Sequence, residues 1–468
     1  MYGLFHKGKL AKNKTEQHKV IYFYCIFEFN FQKRMLSIIH IQYLLKDVFG
    51  IELSKIKRCT TENEFIHIHF QNYEYKEACF DFENPELSDS DFEMLDTIYF
   101  EIIKNKKNDL GLKQIYKAIS PQGISFLKLA HYFVNEHYLG KPIRVDEHNR
   151  ITSDSVYSNV AKYLNYPMVD ILLDIFNFQF LATEKHERTI YFTSDFDYIN
   201  LWSYLGLPKI MWRFFKHVIF YRRLLLIEEF WSFLLSKKYL RRNFMLTNSM
   251  FLFNDKIGET INVKNIGFLL VDNSHKKYDF KNNFKIVPFQ EYINSNMKYV
   301  SFGIHPSYNT RYQPETLEKQ IEAFEQIVFE RPRFSRFHYL NCSFPDDLIA
   351  LEKSRIKQDF SFSFCDCLMF RGSISRPFKQ WSYTANRPIN VEIVPLSIMD
   401  VSLSKTFKYT FDEALTAAKE KVRASILLGQ TTVLLCHNNE MYEPLYRKNY
   451  SRKLLVALKN YIEELELV

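Results

Sequence analysis

The chain predicts an α/β protein, with an N-terminal α/β domain followed by a distorted seven-stranded (β/α) barrel. Three observations carry that expectation. From residue 187 onward, short apolar runs alternate with helical stretches, the pattern of a mostly parallel sheet. The 468 residues exceed one average domain, and 47% hydrophobic residues are enough for sizeable cores. Titratable residues recur where the apolar runs end, and a barrel assembles its active site from the C-terminal ends of its strands.

Residues 1–34 fit poorly with the rest of the chain and read as an extension or an upstream start. A helical pattern opens at Met35 and runs to Phe49-Gly50. Residues 35–185 read as the first α/β domain. Within it, residues 64–70 alternate as a half-buried strand does, with Ile66, Ile68 and Phe70 toward the core. Phe65, His67 and His69 share the other face, where the two imidazoles either ligate an ion or meet solvent. Helical patterns cover 92–103, 124–137 and 156–180, the last broken at Pro167. No nucleophile, phosphate loop or metal signature appears there, so this part reads as a scaffold or partner domain. Residues 186–468 hold the barrel. Strands are expected at 188–193, 266–271, 299–304, 334–342, 360–364, 391–398 and 432–436. Helices are expected at 202–240, 314–329, 345–357, 411–428 and 451–465.

The formal charge of +8 is modest for this length and its basic residues are spread out, so no nucleic-acid partner is indicated. Seven cysteines, odd in number and irregular in spacing, argue against a disulfide framework and for a reducing, cytoplasmic setting. Cys365-Asp366-Cys367 either holds a soft metal or contributes buried free thiols; no second pair accompanies it. No signal peptide is evident. No apolar run reaches the roughly 18 to 20 residues that span a bilayer. Residues 210–235 come nearest, but Arg213, Lys216, Arg222, Arg223, Glu228 and Glu229 interrupt them. They read as an amphipathic helix that packs on the protein or touches the inner face of a membrane. Composition leaves the oligomeric state open.

Thr193-Ser194-Asp195-Phe196-Asp197 closes the first barrel strand. Side chains two apart on an extended segment point the same way, so Asp195 and Asp197 face one pocket or make a solvated turn. Two carboxylates in one pocket repel, which raises one pKa or invites a cation. His305, Arg336, His338, Arg371, Asp400 and His437 follow at or near other strand ends. Each has a plainer reading taken singly: His338 as a satisfied core histidine, Asp400 as a turn or helix cap, Arg371 and Arg376 as loop anchors.

In order and spacing, these stretches resemble the polysaccharide deacetylases with NodB-homology domains. Thr193-Ser194-Asp195-Phe196-Asp197 is similar to the first family motif and Gly303-Ile304-His305-Pro306-Ser307-Tyr308-Asn309 to the second. Arg336-Phe337-His338-Tyr339 resembles the groove arginine motif, and Leu435-Cys436-His437 the closing one. Phe370-Arg371-Gly372 and Arg376-Pro377-Phe378 look like a divergent bacterial envelope-glycan branch with an N-terminal α/β domain. The resemblance implies a hydrolase that removes acetyl groups from an envelope or capsular polysaccharide or its precursor. It implies Asp195 as general base, His437 as general acid and Arg336 as the partner of Asp195 or of the substrate. Asp197 and His305 would ligate a divalent metal, zinc foremost, with cobalt or nickel as alternatives. The family has a further His where this chain has Asn309, so Asn309, His338 or water completes the shell. His338, Arg371, Arg376 and Asp400 would line the substrate groove, the arginines suiting an anionic sugar. The rival expectation, which Asn309 supports, is a non-catalytic glycan-binding or assembly protein on the same barrel.

Overall fold

Strands form where β-branched and aromatic residues gather, because those side chains suit a pleated, half-buried surface. A computed structural model describes residues 38–51, 56, 58–62, 65–69, 74–78, 80–106, 124–177, 188–197, 211–212, 214–220, 256–257, 261–272, 275, 277–279, 282, 287–438, 440 and 450–466. Helix α1 (Ile38–Tyr43) opens the described chain. Strands β1 (Arg58–Glu62), β2 (Phe65–His69) and β3 (Glu74–Ala78) form an antiparallel meander. Ile66 and Ile68 of β2 are fully buried while Phe65 is exposed, as the alternation predicts. Helices α2 (Asp89–Lys106), α3 (Phe126–Val134) and α4 (Met168–Phe176) follow. α4 begins just after Pro167, which cannot continue a helix from upstream.

The second part of the chain supplies β4 (Arg188–Phe196), β5 (Lys256–Ile257), β6 (Ile261–Leu269), β7 (Ser301–Ile304), β8 (Phe334–Ser335) and β9 (Gln358–Asp359). A small hairpin of β10 (Trp381–Ser382) and β11 (Arg387–Pro388) precedes β12 (Glu392–Ile393), β13 (Ile398–Met399) and β14 (Thr431–His437). One sheet runs β12-β9-β8-β7-β6-β4-β14-β13, all parallel, with β5 antiparallel on β6. Parallel neighbours need long crossovers. These include α5 (Val287–Asn296), α6 (Leu317–Val328), α7 (Asp346–Lys353) and α8 (Phe411–Leu427); α9 (Tyr450–Glu466) ends the described chain. α8 starts in a capping box, in which Thr410 and Glu413 each satisfy the other's backbone N–H.

The two edge strands, β12 and β13, are consecutive in the chain. The Val394 N–H donates to the Asp359 carbonyl at 2.8 Å, and the Ser397 N–H to the Val433 carbonyl at 3.0 Å. This short segment therefore bonds both flanks, and the sheet curls until its edges meet. One strand was expected over 391–398. Pro395 has no N–H to give to a ladder and splits it in two. Among the described residues the parallel sheet thus counts eight strands against the seven expected. The strand expected over 334–342 stops at Ser335, because Tyr339 and Leu340 adopt left-handed φ values of 60° and 53°. Most of the helix expected over 202–240 lies outside the described residues. Gly303 of β7 is required by close approach: a Cβ there would lie 2.8 Å from the Phe334 carbonyl and from the Phe268 ring.

Arg371 and Arg376 sit apart from the role expected of them. The Arg371 guanidinium donates from Nε and Nη2 to both carboxylate oxygens of Glu136, at 2.6 and 2.9 Å, and its centre lies 4.4 Å from the Phe362 ring. Arg376 Nε donates to Asp170 at 2.8 Å. Both arginines are buried, and a desolvated guanidinium must be paired. They anchor the loop before β10 to the N-terminal region instead of lining a sugar groove. Gly372 N–H donates to the Tyr138 hydroxyl at 2.9 Å, and Trp381 packs against Tyr43 and Phe82 in the same seam. One hydrophobic core accordingly runs through both regions, from Ile41 to Ile462. Arg371→Ala should lower stability by about 3–5 kcal/mol, since it leaves the largely enclosed Glu136 carboxylate without its cation and, among the described residues, with only the Tyr138 hydroxyl as partner. The check is the shift in urea midpoint, with Arg371→Lys recovering only part of it because an ammonium lacks the planar fork.

Candidate metal centre

Because the sheet is parallel, the C-terminal ends of its strands share one mouth. Asp195 and Asp197 stand at the end of β4, His305 just after β7, and Arg336 and His338 just after β8. Asp400 follows β13, and His437 is the last residue of β14, paired in register with Asp195. Asp279 arrives from the segment after β6. No sequence motif marked it, although the rule that strand ends carry the site applies equally to β6.

Three of these residues form one cluster. Ligand atoms of Asp197, His305 and His338 lie within 4.8 Å of one another, and all three residues are buried. Asp197 Oδ1 is 3.4 Å from His305 Nε2 and 3.5 Å from His338 Nε2. The far nitrogen of each ring is held by the protein. His305 Nδ1 meets the Arg336 carbonyl, and His338 Nδ1 lies 2.9 Å from Asp279 Oδ1. Asp279 is itself fixed, accepting from the backbone N–H of Tyr308 and of His275, each at 2.9 Å. Such outer partners set the tautomer and leave Nε2 as the ligating atom.

The local charge favours a cation. Asp197 Oδ1 and His305 Nε2 are buried and have no hydrogen-bond partner among the described residues. Burial alone would raise the Asp197 pKa, but the imidazoles of His305, His338 and His437 reverse that and hold the carboxyl well below its usual range. Burial would lower His305, yet the charges of Asp195 and Asp197 lift it above its ordinary value. One carboxylate and two imidazoles are a three-ligand set of the kind that leaves a coordination position open. Among the described residues no other group of three or more His, Cys, Asp and Glu could hold an ion, so neither His67 with His69 nor Cys365 with Cys367 belongs to one. Cys342, Cys365, Cys367 and Cys436 are free thiols.

Two pairs flank the cluster, one fully buried and one partly. Asp195 Oδ1 accepts from Arg336 Nη1 at 2.9 Å, while its Oδ2 lies 3.8 Å from His305 Nε2. Arg336 is fully buried, donates also to Thr193 and to the Phe360 carbonyl, and rests 4.5 Å from the Phe268 ring. On the other side, Asp400 takes both the ring Nδ1 of His437, at 2.8 Å, and its backbone N–H, at 3.1 Å. Asp400 therefore orients His437, a different task from the substrate contact expected of it. His338, expected in the groove or as the group that completes the shell, supplies the second imidazole of the cluster. Asn309 stands half-buried on the 3₁₀ turn Tyr308–Arg311, four residues after His305.

The arrangement defines a class: a candidate single-ion site at the mouth of a curled parallel α/β sheet, with an acid-base pair on either side. No protein-family model and no curated protein matches the chain. Two solved structures show a distant likeness. One is a Mycobacterium smegmatis protein assigned to the polysaccharide deacetylases, 13% identical over 60% of this chain and 86% of that one, with a TM-score of 0.33. The other is a polysaccharide deacetylase from Bacillus cereus, 12% identical over 43% of this chain and 76% of that one, with a TM-score of 0.25.

Burial would lower His437, but Asp400, then Asp197 and Asp195, raise it to about 10. The raised value stabilises the fold fully below the unfolded pKa near about 6.5. That contribution is lost as pH rises through about 10. In metal-free protein the His437 Cε1–H resonance should titrate there, and Asp400→Asn should move the midpoint down and flatten the alkaline loss of stability. An NMR titration with parallel thermal melts reads both.

Proposed function

We propose that this chain is a metal-dependent hydrolase that removes acetyl groups from the amino sugars of a polysaccharide or its precursor. The observation that carries the reading is the buried convergence of Asp197, His305 and His338, two of whose ligand atoms are otherwise orphaned. An acetamide is a poor electrophile, and a bound divalent ion supplies the Lewis acidity that polarises its carbonyl and activates water.

The remaining steps fall to side chains. Asp195 is the base: its Oδ2 faces the cluster while Arg336 holds Oδ1, so the carboxylate is aimed. His437, protonated at neutral pH and oriented by Asp400, can give its proton to the departing amine. Asp195 and His437 end adjacent strands in register, so base and acid flank the reacting carbon from neighbouring β-ends. The sugar and the bacterial glycan it belongs to remain part of the proposal, supported by the motif resemblance.

Elemental analysis of purified protein should find one divalent ion per chain, and chelation should abolish acetate release from N-acetylated glycans. Asp195→Asn should lower that release by a factor of about 10² to 10⁴ while leaving metal content and circular dichroism unchanged. Bound metal without acetate release from any glycan would sink the hydrolase and leave a glycan-binding barrel.

A membrane surface belongs to the same proposal. Among the described residues no helix is long and apolar enough to cross a membrane. Within the basic, aromatic segment 210–235, Trp212, Phe215 and Ile219 are 64%, 48% and 61% exposed, with Lys216 over the Trp212 ring. Apolar side chains interleaved with cations suit an anionic lipid interface. The protein should float with phosphatidylglycerol vesicles at low salt and be released by Trp212→Ala with Phe215→Ala; failure to float at any ionic strength removes this part.

A further inference from the structure

One hairpin of the N-terminal region reaches the mouth of the barrel. Val145 and Ile151 bridge in antiparallel fashion and frame its tip, residues 146–150. Asp146 builds that tip. Its Oδ1 accepts the backbone N–H of His148 at 2.8 Å and of Arg150 at 3.0 Å, the local turn bonding that aspartate favours. Its Oδ2 accepts from Arg150 Nε at 2.7 Å and lies 2.6 Å from Nη2. Asn149 takes a left-handed φ of 57°, which asparagine tolerates better than most residues. The tip is thus shaped by its own residues before it meets the barrel.

It meets two turns there, one beside each imidazole of the cluster. Arg150 Nη1 donates to the Tyr339 carbonyl at 3.0 Å, one residue after His338. This turn needs holding, because Tyr339 and Leu340 both sit in the left-handed region, where bulky residues are strained. The other turn, Tyr308–Arg311, begins three residues after His305. His148 Nδ1 and the Tyr308 hydroxyl are 3.2 Å apart. Arg311 Nη1 donates to the Asn149 carbonyl at 2.8 Å, and Asn149 Nδ2 to the Tyr312 hydroxyl at 2.7 Å. The two turns are tied to each other as well. Asn341 Nδ2 donates to the Tyr308 carbonyl at 3.1 Å, and Arg311 Nη1 reaches Asn341 Oδ1 at 3.0 Å. The Tyr308 N–H ends on Asp279 Oδ1, the same oxygen that meets His338 Nδ1.

We propose that this hairpin tip is a positioning clamp for the ion site: Arg150 holds the turn that presents His338, while His148 and Asn149 hold the turn behind His305. Arg150 acts through His338 and is a positioning residue. Bonds to a divalent ion keep within about 0.2 Å of their ideal lengths, so a turn that relaxes takes its imidazole out of range. Coupling between sites is reciprocal, so an ion at the cluster must in turn tighten the seating of the hairpin. The inference rests on the metal-centre reading of Asp197, His305 and His338, and not on hydrolysis.

Cobalt(II) titration of the full-length protein, followed by visible absorption, tests the clamp. Wild-type protein should bind one equivalent. Arg150→Ala should bind about 10- to 100-fold more weakly and with an altered d–d band, which a general loss of stability would not produce. Arg150→Lys should recover part of the affinity, since an ammonium can meet the Tyr339 carbonyl but lacks the planar fork that Asp146 orients. Arg144→Ala, on the same hairpin, should match wild type, because its side chain pairs with exposed Asp154 instead. Should Arg150→Ala not fold, Tyr308→Phe reads the other arm: it removes only the hydroxyl that meets His148 and should weaken binding about fivefold. In hydrogen exchange, bound cobalt should slow the amides of residues 144–152. Equal affinity and equal spectra in wild type and every folded clamp variant, or hairpin amides indifferent to bound cobalt, overturn the clamp. Absence of cobalt binding by wild-type protein overturns the metal centre and the clamp with it. Binding that the variants weaken, without acetate release from any glycan, upholds the clamp and refutes the hydrolase.

Discussion

Two imidazoles whose Nδ1 atoms are already engaged have only Nε2 left to offer, and here both offers are made to one carboxylate. That constraint organises the mouth of the barrel. His305 cannot turn away without losing the Arg336 carbonyl, and His338 cannot turn without losing Asp279. Arg336 serves two ends of the same device, its carbonyl fixing His305 and its guanidinium fixing Asp195. Removal of either outer acceptor would loosen the site with no change in its ligands.

Much of this was legible in the order of residues. The spacing of Asp195 and Asp197 on a strand end, and of His305 and His437 after later strands, placed them correctly at one mouth. Asp279 was not legible, because it lies beyond its strand in a segment without periodicity and acts through another residue. His338 was visible, but the sequence left open whether it completes the shell or lines the groove. Its role depends on a left-handed turn at Tyr339, and propensities read along an apolar run instead predict continued strand. Arg371 and Arg376 were open to two readings, loop anchor or sugar contact, and the sequence could not choose. Their partners, Glu136 and Asp170, lie more than two hundred residues away in the chain and nothing local announces them.

Those two ion pairs also bear on how the regions relate. The N-terminal part buries Trp381 with its own Tyr43 and Phe82, and sends a hairpin to the rim of the cluster. An N-terminal region that shares its core with the curled sheet and supplies contacts at its mouth is more than an appendage. Mutations in it would be felt at the site through packing rather than chemistry.

The seam at Pro395 has a consequence of its own. An open sheet displays a row of unpaired amides and carbonyls at each margin, and stray extended peptides add to such margins readily. Several strands here are only two residues long and hold few ladder bonds each. With first and last strands running into one another, the sheet presents no such margin between them. The segment around Pro395, bonded to Asp359 on one flank and to Val433 on the other, thereby covers both margins at once.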